Sequence, residues 1–110
     1  MSVVVEICNF NDERLIDCIA GIGSQGRLPD RVLIADGGSD AKYVERIKNM
    51  LKERNNFSLN IDWRTLPGRP SETRQKSIPL LQEEVTVFLD SDQVPLRGWL
   101  DKLVSSIEAG

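Results

Sequence analysis

Hydrophobic and polar positions along the chain keep two rhythms. Val3-Val4-Val5, Val32-Leu33-Ile34-Ala35 and Val85-Thr86-Val87-Phe88-Leu89 are short apolar runs rich in β-branched residues, the pattern of strands buried on both faces. They predict a first strand from Ser2 to Ile7, a second from Arg31 to Ala35 and a last one from Val85 to Leu89. Between Phe57 and Trp63, apolar Phe57, Leu59, Ile61 and Trp63 alternate with polar Ser58, Asn60 and Asp62, as in a half-exposed edge strand. The intervening segments repeat at helical spacing. Leu15, Ile16, Cys18, Ile19 and Ile22 predict a helix from Asp12 to Gln25, capped by Asn11 and stopped at Gly26. Tyr43, Val44, Ile47, Met50 and Leu51 predict one from Ala41 to Arg54, with Asp40 as its cap. A short helix from Ser71 to Ile78 is expected to be capped by Ser71 and ended or kinked by Pro79, with Leu80-Leu81 on the core. The last helix, Gly98 to Glu108, would bury Trp99, Leu100, Leu103, Val104 and Ile107.

Strand and helix therefore alternate from end to end. That alternation predicts an α/β, Rossmann-like three-layer domain with a mostly parallel four-stranded sheet. An order of 3-2-1-4 sets the first and last strands side by side at the topological switch point, where a mononucleotide lies outside the carboxyl ends of the strands.

Composition narrows the chemistry. At 110 residues the chain is the size of one domain, and 40% hydrophobic with 28% charged residues is ordinary for a globular fold. There is no histidine, which removes His-based catalysis and the usual zinc sites. A net charge of −3 argues against a nucleic-acid partner. No apolar run approaches the length of a transmembrane segment, and Met1-Ser2 lacks a basic leader, so a cytoplasmic location is expected. Cys8 and Cys18 are too few for a disulfide scaffold, and Cys18 lies on a helical apolar stripe.

What remains is acid at strand ends. Asp90-Ser91-Asp92 closes the last strand with no basic neighbour in sequence, and hard divalent ions such as Mg²⁺ or Mn²⁺ take one or two carboxylates together with substrate phosphates. Read alone, Asp92 could merely start the turn before Val94-Pro95. Asp36-Gly37-Gly38-Ser39 closes the second strand in the same way, and the paired glycines let a ligand approach the backbone.

Taken together, Val3-Val4-Val5…Asn9, Leu28-Pro29-Asp30 before Val32-Leu33-Ile34-Ala35-Asp36-Gly37-Gly38-Ser39, Arg74-Gln75, Val87-Phe88-Leu89-Asp90-Ser91-Asp92 and Pro95…Trp99-Leu100 fall in the order and spacing of family 2 glycosyltransferases. The chain resembles the nucleotide-sugar-binding half of these GT-A enzymes over nearly its whole length. The resemblance implies a UDP- or GDP-sugar donor and a divalent metal, with an acceptor it does not identify. It implies that Asp36 bonds the base, with Gly37 and Gly38 giving it room. Ile7, Cys8 and Asn9 would touch the nucleoside largely through backbone. Asp90 and Ser91 would meet the ribose or metal, and Asp92 the metal that bridges the diphosphate. Arg74 matches a basic residue near the nucleotide, with an exposed helix charge as the alternative; Arg64 and Arg69 read as solvated loop charges. The chain departs from the family where Pro-Thr-Tyr-Asn becomes Glu6-Ile7-Cys8-Asn9, and where Arg-Asn-x-Gly becomes Arg74-Gln75-Lys76-Ser77. Family members continue into an acceptor-binding half carrying a general base. The expectation is therefore a chain truncated before that half, without a base and with little or no activity alone. A catalytically silent binding or assembly module is the alternative. A nucleotidyltransferase is disfavoured because the Gly-rich N-terminal loop is missing.

Overall fold

A computed structural model describes residues 1–54 and 58–109. Four parallel strands, β1 (Val3–Asn9), β2 (Arg31–Asp36), β3 (Ile61–Thr65) and β4 (Val85–Asp90), form one sheet in the order β3-β2-β1-β4. The helices are α1 (Leu15–Gly23), α2 (Ala41–Arg54), α3 (Pro70–Ser77), which runs into a 3-10 turn at Ile78–Leu80, and α4 (Trp99–Ala109). Architecture and strand order are those expected from the alternation of runs.

Side chains alternate across a strand, so β1 and β2 each feed two layers. Val5, Ile7, Val32 and Ile34 point toward α1 and α2, where they join Leu15, Cys18, Ile19, Ile22, Tyr43 and Ile47 in the main core. Val3 and Val85 continue this layer under Leu100 and Val104 of α4. On the other face Glu6 meets α3, through Arg74 and Ser77. Each fully buried Ile or Leu of this core contributes about 2 kcal/mol by removal from water. The loop before α4 packs tightly on α1: a side chain at Gly21 would meet Pro95 Cδ at 2.9 Å. Gln25, buried, donates to the Gly21 and Leu96 carbonyls and accepts from the Leu100 N–H.

Several boundaries differ from expectation, each for a local reason. α1 starts at Leu15, because the Asp12 carboxylate accepts the Arg14 N–H at 2.9 Å and holds residues 12–14 in a turn. Asn11 does not cap that helix; at φ 45° its side chain accepts the Asp40 N–H that precedes α2. The third strand runs from Ile61 to Thr65, so Arg64 lies in a strand, paired with Asp62, while Leu59 is buried ahead of it. Phe57 and the predicted turn at Asn55-Asn56 lie outside the described residues. Arg69, not Ser71, takes the cap position of α3, with Pro70 in its first turn. Pro79 converts the end of that helix into the 3-10 turn. β4 is an edge strand and only half covered: Phe88 is exposed, and Thr86 and Val87 are partly so. Leu80 and Leu81 are half-buried, and Leu103 and Ile107 of α4 face outward. Among the described residues no helix is long and apolar enough to cross a membrane.

Candidate functional site

Register brings the strand ends together. Asn9 of β1 stands opposite Asp36 of β2, and Cys8 opposite Asp90 of β4. Above this rim lies an open cavity of about 500 Å³, lined by Cys8, Asn9, Phe10, Asp12, Arg14 and Gly37, and by Gly68, Pro70, Thr73, Asp90, Ser91 and Asp92 from the loop before α3, α3 and the end of β4. Its size is that of a small-molecule site.

The β2 end is closed from within. Asp36 has no exposed surface. One carboxylate oxygen accepts Asn9 Nδ2 at 3.0 Å and the Ser39 hydroxyl at 2.5 Å; the other accepts the backbone N–H of Ser39 at 2.8 Å and of Gly38 at 3.3 Å. Gly38 turns the chain back at φ 102°, which brings those donors round. Tyr43 hydroxyl donates to the Asp12 carbonyl at 2.6 Å and lies 3.3 Å from Asn9 Oδ1. Asp36 therefore lies in the floor of the cleft and outside its lining, with protein donors on both oxygens. Gly37 does reach the cavity; a side chain there would crowd the Gly68 carbonyl at 3.2 Å and Thr73 Oγ1 at 3.3 Å. Gly38 shapes the turn behind it. Ile7 is a fully buried core residue on the α1–α2 face, also outside the cavity lining.

At the β4 end the carboxylates face outward. Asp90 and Asp92 are both exposed, while the turn between them is fixed by hydrogen bonds from its backbone N–H groups. Gln93 Oε1 accepts the Asp90 N–H at 2.8 Å, and the Ser91 N–H reaches the Cys8 carbonyl at 3.3 Å. Ser91 is buried and donates to Asp12 Oδ2 at 2.9 Å. Asp12, expected only as the first residue of the first helix, thus forms a third acidic wall. Its carboxyl is held below the usual carboxylate range by the Arg14 side chain, bonded at 2.9 Å. Two carboxylates with free oxygens, in a cavity without histidine, are a donor set for a hard divalent cation sharing its shell with phosphate oxygens. Among the described residues no three metal-ligating side chains converge to form a complete protein cage.

Arg74 lies beneath this end and not in the cavity lining. It is a third exposed and pairs with Glu6 at 3.1 Å and with Asp90 at 3.4 Å. Cys8, half-buried on the cavity floor, has its thiol pushed up by burial, against the pull of Arg74 and with Glu6, Asp90 and Asp36 adding to the rise. Cys18 is pushed up to about 12 by burial. Phe10, Asp12, Arg14, Gly68, Pro70 and Thr73 also line the cavity and were not singled out from the sequence. Phe10 had a readable signal, an apolar ring between two asparagines, and it is exposed.

Solved structures share this fold. A Staphylococcus aureus TarS structure of residues 1–349 superposes with a TM-score of 0.76 at 18% identity, covering 99% of this chain and 33% of that one. The same TarS fragment in complex with UDP-GlcNAc gives 0.72 at 20% identity, and in complex with UDP 0.73 at 20% identity. The chain thus spans about a third of the length of these TarS chains and has their GT-A, Rossmann-like fold. In the comparison with curated proteins, nothing matches. The model of glycosyl transferase family 2 matches residues 2–110, and the chain belongs to that family.

Proposed function

We propose that this domain binds a nucleoside diphosphate sugar through a divalent cation, Mn²⁺ or Mg²⁺, held by Asp90 and Asp92. The observation that carries the reading is the opening of both acids onto the same cavity as the ends of β1 and β2 and the start of α3. The charge on the cavity wall points the same way. Three carboxylates line the cavity, and the guanidinium groups nearest them are already engaged, Arg14 with Asp12 and Arg74 with Glu6 and Asp90, so a bound cation favours entry of an anionic donor. When bound, that cation neutralises the diphosphate and stabilises the departing charge. Asn9, Cys8 and Gly37 form the wall facing the nucleoside, with Gly38 shaping the turn behind them, and Phe10 offers its ring as a stacking surface. The UDP and UDP-GlcNAc complexes of TarS favour a uridine donor over a guanosine one.

Transfer itself, with inversion at the sugar carbon, belongs in this reading to the whole enzyme. The acids after Asp92 stand away from the cleft: Asp101 approaches Gly26 behind α1, and Glu108 faces Arg27. Neither is placed to deprotonate an acceptor at this cavity. Calorimetry of the 110-residue chain with UDP- and GDP-sugars, with and without Mn²⁺, tests the proposal. Metal-dependent heat with one nucleotide, lost in Asp92→Asn, is the expected result. Absence of heat with every donor at millimolar concentration overturns it.

A further inference from the structure

We infer that Arg74 is a resident counter-ion of Asp90, tethered by the buried Glu6, and that a divalent cation displaces it from Asp90 without freeing it from Glu6. The inference rests on the reading of Asp90 and Asp92 as a cation site.

Glu6 sits in the middle of β1, between β2 and β4, with no exposed surface. A carboxylate in that position requires a partner of opposite charge or a full set of donors. Both come from α3. Arg74 approaches the two Glu6 oxygens with Nε at 3.3 and 3.4 Å and with Nη2 at 3.1 Å, and the Ser77 hydroxyl lies 2.7 Å from Oε2. The guanidinium also lies over the Phe88 ring, 5.1 Å from its centre. This is an anchored cation.

The anchored group extends toward the acid pair. Arg74 Nη2 reaches the Leu89 carbonyl at 3.3 Å and Asp90 Oδ1 at 3.4 Å. The two ends of the contact are unequal. Glu6 is wholly buried, so losing its cation is costly, whereas Asp90 has a side chain 61% exposed and can exchange Arg74 for water or an ion at little cost. Asp92 enters no such ion pair among the described residues, although Arg14 feels its charge. The acid pair is therefore asymmetric before any ligand arrives: Asp92 is open and Asp90 is shared. Glu6 acts as a positioning residue through Arg74, and the helix that carries Arg74 is the one whose first turn lines the cavity.

Competition at Asp90 gives a result opposite in sign to that of a merely structural contact. Binding of Mn²⁺ alone to the 110-residue chain is measured by the loss of the free-ion paramagnetic signal, with folding checked by thermal melting. The double variant Glu6→Gln/Arg74→Met removes both buried charges together. It should bind Mn²⁺ about threefold more tightly than the original chain, the scale of one exposed ion pair. Arg74→Lys keeps a cation for Glu6 on a shorter reach and should tighten binding in the same direction, which covers the case in which the double variant does not fold. Binding that Asp92→Asn abolishes, together with tightening in either folded variant, supports the inference. Binding by the original chain with equal or weaker affinity in the folded variants overturns the counter-ion role and leaves the donor-site reading standing. No Mn²⁺ binding by any form overturns both.

Discussion

Two strand ends on one rim carry acid, and the molecule uses them in opposite ways. At the end of β2, Asp36 is followed by Gly-Gly-Ser, a turn that swings three donors back onto the carboxylate while Asn9 supplies a fourth. At the end of β4, Asp90 is followed by Ser91, whose hydroxyl is drawn away to Asp12, and by Asp92, which stays in solvent. The first acid is consumed in holding β1 and β2 together; the second pair is left with free oxygens. A strand-end aspartate is therefore not a site by position alone. What decides is whether the residues after it return donors to it.

The sharpest way to break this contrast is to neutralise one acid at each end. Asp92→Asn should abolish metal-dependent donor binding, at least tenfold in Kd by calorimetry, while changing stability by less than about 0.5 kcal/mol, as for an exposed residue without close partners. Asp36→Asn should do the reverse. Its amide would turn hydrogens toward two of the four donors, leaving them unsatisfied inside the protein, at about 3 kcal/mol. For a domain of this size that lowers Tm by more than about 10 °C. Equal effects of the two variants on melting would remove the distinction between a sealed and an open acid.

Much of the architecture was legible because the apolar runs and helical stripes carry the fold: parallel pairing follows from their alternation, and the 3-2-1-4 order expected of a sheet with a switch point brings the β1, β2 and β4 ends together. The parts that were not legible are decided by hydrogen bonds across the fold. Asp36 and Asp90 look alike in sequence, yet only the turn geometry at Gly38 and the side chain of Asn9 seal one of them. Glu6 is a lone charge in an apolar strand, and its meaning depends on Arg74, 68 residues later. Phe88 reads as core from its neighbours but sits on the open face of an edge strand. Asp12 became part of the cavity because its own carboxylate stopped α1 from starting there.

The two cysteines sharpen the contrast between cavity and core at intermediate scale. Cys8 lies on the cavity floor and Cys18 is buried in the main core, and burial raises both thiols. At neutral pH the thiolate fraction of each is small, so alkylation should be slow and should accelerate as pH rises. Only Cys8 should react in the native protein. Mass spectrometry after iodoacetamide treatment should show single labelling, and donor with Mn²⁺ should slow it several-fold. Protection that is indifferent to Asp92→Asn would place the donor elsewhere.

The smallest expected effect concerns pH at the wall joining the two ends. Arg14 holds the Asp12 carboxyl below its ordinary range, so the deprotonated form is favoured in the folded state. A depressed carboxyl stabilises the protein above its unfolded pKa and loses that contribution as pH falls through the folded value. The stabilisation is thus present at neutral pH and fades in the acid range below about pH 4. Asp62 and Glu83, held down by Arg64 and Arg31, titrate in the same direction, so the wall must be isolated by difference. Arg14→Met should leave the Asp62 and Glu83 contributions intact and make the melting temperature less sensitive to acid by about a degree or two, because Arg14 is mostly solvated and its pairing is screened. If the variant melts in parallel with the original chain from pH 7 to pH 3, Arg14 does not hold Asp12, and the Ser91 contact alone fixes that wall.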